Sequence, residues 1–168
     1  MMNYGATAAN YFAVECYDKN GKLKWRDGFK NLVVNEGLDD ALDKYLKGSG
    51  YTASFFVGLT DSAPTVAASD TMSSHSGWAE IQSQYSESTR PSLVLGTVSS
   101  QSVDNSASKA SFTITGSATV GGAFVATDST KNGTSGTLYG AGAFTGGDKS
   151  VDSGDTLNVT VTLTMAAS

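Results

Sequence analysis

Tyr11-Phe-Ala-Val-Glu-Cys-Tyr17, Asp18-Lys-Asn-Gly-Lys22 and Leu23-Lys-Trp-Arg-Asp-Gly-Phe29 together decide the fold. The first run is aromatic and β-branched, a composition that suits a pleated, half-buried surface. In the third, Leu23 and Trp25 alternate with Lys24 and Arg26, the period of two expected of a strand. Asn20-Gly21 between them is a strong hairpin signal, because both residues accept positive φ. The stretch therefore predicts an N-terminal β-hairpin, with Cys16 as a small buried hydrophobe inside its first strand.

The far end of the chain repeats the alternation. Leu157, Val159, Val161, Leu163 and Met165 are interleaved with Asn and Thr, so Thr156–Met165 reads as a strand with one buried face and one wet face. Further strands are expected over 53–59, 78–85, 93–98, 110–115, 120–127 and 137–144, separated by Gly-, Asn- and Ser-rich turns. One helix is expected from Glu36 to Lys47, with Asn35 as N-cap and Gly48 closing it. Its apolar face would comprise Leu38, Ala41, Leu42, Tyr45 and Leu46, lying across the β structure. About nine strands with regular turns argue for a mainly β, single β-sandwich or jelly-roll-like domain over 11–168. Residues 1–10, small and polar around Tyr4, read as a flexible arm. The long polar connection Thr60–Gly77 has the length of a functional loop, and Asp70-Thr-Met72 within it could start a helical turn.

Composition narrows the function. Of 168 residues only 16% are charged, against roughly 25% in ordinary soluble domains. Ser (23) and Thr (19) make up a quarter of the chain. The net charge of −5 comes entirely from residues 51–168, which carry four bases and nine acids. No basic stripe tracks phosphates, which argues against nucleic-acid binding. No apolar run approaches the roughly 20 residues of a membrane span, and the N-terminus lacks the pattern of a secretory leader. One cysteine, Cys16, and one histidine, His75, leave no intrachain disulfide and no multi-histidine metal site.

Candidate chemistry is sparse. Asp148, Asp152 and Asp155 could present oxygens to Ca²⁺, but they fit neither an EF-hand nor a glycine-rich nonapeptide, and turn acids bonding their own backbone explain them equally well. Glu80 and Glu87 could be a glycosidase pair, though nothing fixes their separation. Ser74-His75-Ser76 lacks an orienting acid and an oxyanion hole, and the Gly116–Gly122 and Gly140–Gly147 runs lack the Lys-Ser/Thr ending of a phosphate loop. Tyr51, Trp78, Tyr85 and Tyr139 could be sugar platforms or simply core. The expectation is no enzyme, no cofactor and no resident metal.

Several stretches, in order, resemble small structural proteins of tailed bacteriophages. They include Asn31-Leu-Val-Val-Asn-Glu-Gly-Leu-Asp39, Tyr51-Thr-Ala-Ser-Phe-Phe-Val-Gly-Leu-Thr-Asp61 and Ser74-His-Ser-Gly-Trp-Ala-Glu80. Tyr85-Ser-Glu-Ser-Thr-Arg-Pro91, Gly121-Gly-Ala-Phe124, Lys131-Asn-Gly-Thr-Ser-Gly-Thr-Leu-Tyr139 and Ser153-Gly-Asp-Thr-Leu-Asn-Val-Thr-Val-Thr162 continue the likeness over roughly residues 30–165. The resemblance implies a virion part made in the host bacterial cytoplasm and carries over no catalytic or metal residue. Such proteins are described as capsid decoration (cement) proteins or as tail and fibre proteins. The first description implies binding of the major capsid protein on the capsid exterior and self-association as a dimer or trimer. The second implies recognition of a host glycan or receptor. For capsid or subunit contact, the side chains expected to anchor the N-terminal arm are Tyr4, Tyr11 and Phe12.

Overall fold

A computed structural model of the chain describes residues 6–50 and 54–167. In chain order its elements are β1 (Ala6–Tyr17), β2 (Leu23–Val33), α1 (Asn35–Ala41) continued by a π-turn over Leu42–Leu46, β3 (Phe56–Thr60), β4 (Ser102–Asp104), β5 (Ala110–Thr113), β6 (Ala118–Val120), β7 (Gly122–Ala126), β8 (Leu138–Ala143), β9 (Lys149–Val151) and β10 (Thr156–Ala167). The protein is mainly β, as expected: a curled antiparallel sheet forms a sandwich-like domain with one short helical segment.

The N-terminal hairpin forms, but its turn is not the two-residue kind. Only Gly21 has positive φ, at 76°. The Asp18 carbonyl accepts the Gly21 N–H, and its carboxylate accepts the Asn20 and Lys22 N–H groups at 2.8 and 2.9 Å. This is a three-residue turn ending in a left-handed glycine, and it shifts the pairing by one residue at Tyr17.

β10 runs antiparallel along the whole of β1, from Ala6 opposite Ala167 to Tyr17 opposite Thr156. The expected arm is therefore strand from Ala6 onward, and Asn10 is buried within it. β5 and β4 share the far edge of β10, at its two ends. The second layer, β8–β7–β3, joins the first where Leu32 and Val33 of β2 pair with Ala141 and Gly140.

Period-two alternation sends Phe12, Val14 and Cys16 of β1 and Leu157, Val159 and Val161 of β10 inward, all fully buried. They meet Val57, Leu59, Ala123 and Val125 of the second layer. Phe12 stacks flat on Phe29 at 5.1 Å, and Phe144 meets Phe29 edge-on. β7 is buried on both faces, because the chain after β3 folds back over its outer side. Met72 and Trp78 from that segment join Val34, Phe124, Ala126, Leu138 and Ala141 in a second core. The long loop of the sequence reading is thus a cover for the sheet. Its Asp70–Met72 stretch is not helical; Asp70 caps Ala67 N–H, and Thr71 and Ser74 bond each other's backbone.

Two expected strands are absent. Over 78–85 the chain makes only single bridges, Thr60 to Glu80 and Tyr85 to Ile114, and over 93–98 it makes none, the bridge of Phe56 to Ser92 falling just before. Trp78 faces the second core while Ile81 and Tyr85 face the first, so the backbone must cross between layers and cannot hold one ladder.

The helix also departs from expectation. It starts at Asn35 with Val34 as N-cap and no side-chain cap. Small residues, not large ones, face the domain: Gly37 sits so close to the Tyr139 backbone that a Cβ would overlap it. Glu36 fastens the first turn by accepting the Leu138 N–H at 2.6 Å. Leu38, Leu42, Tyr45 and Leu46 point to solvent. Gly48, with φ 79°, follows the last turn as expected.

Candidate functional site

The same alternation that fills the core composes the outer face of the first layer. Tyr11, Ala13 and Glu15 of β1 lie beside Thr162, Thr160 and Asn158 of β10, flanked by Ser111 of β5 and by Arg26, Gly28 and Lys30 of β2. The result is a broad surface of hydroxyl side chains, bordered by the charges of Glu15, Arg26 and Lys30. Tyr11 lies over Gly28, where any Cβ would overlap the phenol, so the ring covers the gap left by the glycine. A groove of about 630 Å³ opens beside it, between Glu15, Arg26, Asp27 and Lys149.

The acidic groups around this groove are tied down. Glu15 accepts a hydrogen bond from Lys109 at 2.8 Å, which draws its carboxyl below the ordinary range despite partial desolvation. Burial pushes the Asp27 carboxyl up, but hydrogen bonds from Thr145 Oγ1 and from the Gly146 and Thr145 N–H groups outweigh it, so its pKa falls. Lys109, Glu15, Asp27 and Lys149 are thus paired with one another, whereas Arg26 and Lys30 stand exposed on the face with no hydrogen-bond or ion-pair partner among the described residues.

Of the three expected anchors, Tyr4 lies outside the described residues. Tyr11 is 45% exposed on this face. Phe12 is not an anchor: its neighbour's exposure fixes its own burial, and it sits at 0% exposure against Phe29. The proposed sugar platforms fare similarly. Trp78 is 7% exposed, sandwiched between His75 at 3.7 Å and Phe124 at 5.2 Å. Tyr85 is buried beneath Lys131, whose ammonium lies 3.7 Å above the ring, and burial raises the phenol pKa. Tyr139 is half-buried and meets Phe55 edge-on, and Tyr51 lies outside the described residues.

The polar candidates resolve into structural roles. Glu80 grips Arg90 through two bonds of 2.9 and 2.8 Å, both side chains being buried, while Glu87 bonds Thr113 N–H. Each carboxylate therefore has its own structural partner. Asp155, buried, accepts from Lys24 and from Asp152 N–H, and lies 3.7 Å from the Cys16 thiol. Lys24 also reaches Asp152 at 3.0 Å, so an ammonium already neutralises two of the three carboxylates considered for Ca²⁺, Asp148 being apart from it. Burial, reinforced by the Asp155 charge, pushes the Cys16 thiol up to about 12. His75 stacks flat on Trp78, and burial lowers its pKa. Among the described residues no three His, Cys, Asp or Glu side chains cluster to hold a metal ion, and no helix is long and apolar enough to cross a membrane.

No family model matches the sequence, and no curated protein is significantly similar to it. Sequence reasoning missed the Glu80–Arg90 pair and the Lys24–Asp155 pair, because 10 and 131 residues separate the partners. The threonine face was half visible: β10 alternation showed which residues are wet, but only the register with β1 brings Tyr11 beside them.

Proposed function

We propose that this chain is a non-enzymatic structural protein of a tailed-bacteriophage virion: a capsid decoration protein that binds the outer shell, bridges major capsid subunits and self-associates. The observation that carries the reading is the outer face of the β1–β10 layer, broad and hydroxyl-rich, with Tyr11 exposed beside Thr160 and Thr162. Such a face supports many weak contacts at low desolvation cost, and multiplication over a repeated lattice makes them sufficient. A protein that binds only the assembled shell stabilises it by mass action. The ordered likeness to phage structural proteins over residues 30–165 supports the same reading.

The test is the copy number of this protein in purified virions relative to the major capsid protein. A ratio near that of the shell protein is expected. A few copies per particle would move it to the tail or fibre, and absence would overturn the virion assignment. A Thr160→Glu/Thr162→Glu variant, which puts two uncompensated charges on the face, is expected to lose at least about tenfold in shell attachment while unfolding at the same temperature.

A further inference from the structure

The helical segment presents its large apolar side chains outward. Leu38 is 39% exposed, Leu42 55%, Leu46 71% and Tyr45 85%. The domain side of the same segment is small: Gly37 is buried against β8 and Ala41 is partly covered. This reverses the usual arrangement, in which the apolar stripe of a surface helix turns to its own core. The π-turn belongs to the same feature. The Lys47 N–H bonds the Leu42 carbonyl, five residues back, so the wider turn swings Leu46 back toward the line of Leu38 and Leu42. Three leucines spaced by four then form one ridge.

The charges beside this ridge are sorted along its length. Asp39 and Asp43 lie beside Leu42 in the first part, and Lys47 lies beside Leu46 at the end. Asp43 reaches Lys47 at 2.9 Å and Lys44 at 3.6 Å, so the polarity is held along one side of the ridge. A ridge that is acidic at one end and basic at the other is complementary to itself when inverted. Two copies laid antiparallel about a two-fold axis near Leu42 set Leu38 of each against Leu46 of the other, and the acidic end of each beside the basic end of the other. The helix dipoles then also oppose favourably.

We propose that this ridge is a homodimer interface: a second copy of this chain docks on it by antiparallel, isologous helix packing through Leu38, Leu42 and Leu46. The proposal gives the self-association of the proposed function its surface, and it rests on that reading only for its place in a virion. The dimer itself is tested on the isolated protein, so its failure and that of the virion assignment are separable. Four side chains cover less than the roughly 800 Å² per partner of a standard interface, so the association is expected to be reversible and concentration-dependent.

Sedimentation velocity of the full chain over a wide concentration range tests it. The wild type is expected to pass from monomer to dimer, and Leu42→Glu to remain monomeric with an unchanged circular dichroism spectrum. Two further variants test the charge pattern: Asp39→Lys/Asp43→Lys makes the ridge basic throughout, and Lys44→Glu/Lys47→Glu makes it acidic throughout. Each alone is expected to be monomeric, and an equimolar mixture is expected to restore the dimer. A wild type that stays monomeric throughout overturns the proposal and leaves the ridge to a different partner. A dimer that survives Leu42→Glu places the interface elsewhere and overturns it too, as does a mixture that fails to reassociate.

Discussion

Two regions of this molecule reach the same degree of burial by different means. In the β1–β2–β10 layer, backbone ladders run up to twelve residues and side chains alternate with period two. Between β3 and β5, and again over 127–137, the chain has almost no ladder and is held by side chains bonding backbone. Arg90 is the centre of that second region. Its guanidinium spans Glu80, the Asp128 carbonyl at 2.8 Å and the Gly133 carbonyl at 3.1 Å, and lies 5.1 Å from the Phe124 ring. Glu80 in turn accepts the Asn132 N–H at 2.6 Å. Where the backbone cannot satisfy itself by repetition, one buried ion pair supplies the missing partners. The regular region distributes its stability over many residues, while the irregular one concentrates it.

That contrast is testable by substitution. Arg90→Ala leaves Glu80 as a buried, unpaired charge and removes the partners of two carbonyls, so a loss of about 3–5 kcal/mol is expected. Arg90→Lys should recover only part, since an ammonium cannot reproduce the two-pronged grip on Glu80. Urea unfolding of both variants checks this, and a loss below about 1 kcal/mol for Arg90→Ala would show that the irregular region is not organised around the pair.

Trp78→Ala sharpens the comparison one step down. It removes the largest side chain of the second core and should cost about 3 kcal/mol in the same measurement. If the segment after β3 were a binding loop resting lightly on the sheet, the loss would be much smaller.

In the regular region, Cys16 supplies a chemical probe in place of a mutation. The thiol is fully buried, with its pKa pushed up to about 12, so it carries little thiolate at neutral pH. A thiol-reactive dye is expected to label it only with the kinetics of unfolding. Prompt labelling of the native protein would show that the β1–β10 ladder opens locally.

The two regions were also unequally legible in sequence. Period-two patterning marked the hairpin, β10 and the sheet-forming runs, because a strand with one wet face writes its geometry into consecutive residues. Trp78–Tyr85 looked like a strand for the same aromatic content, yet its side chains serve two different cores, and no local pattern encodes that. Phe12 and Tyr11 illustrate the limit on the site side. Both are aromatic and adjacent, and the alternation that makes one core makes the other surface, but choosing between them requires knowing which face the second layer covers. The helix misled for a related reason. Its apolar stripe was plain at Leu38, Leu42 and Leu46, but a stripe does not say whether it meets its own domain, and Gly37 and Ala41 face the sheet instead.

The smallest effect lies at the rim of the irregular region, where Asp128 closes the 127–137 turn. Its carboxylate accepts from Ser135 Oγ and Thr130 N–H, both at 2.6 Å, and these bonds, with the nearby Arg90 charge, lower its pKa to about 2. An unfolded aspartate titrates near about 3.9. Because the folded value is the lower one, the unfolded state binds the proton first as pH falls. The stabilisation is therefore complete above about pH 4 and is lost progressively as pH drops through about pH 2. Asp128→Asn keeps the shape and an acceptor for Thr130 but has no proton to take up, so its stability should vary less with pH over that window. Urea midpoints of the two proteins at several pH values between these limits would converge toward the acid end. Parallel curves would mean that the turn is held by its backbone bonds alone and that the Asp128 charge contributes nothing to the region Arg90 organises.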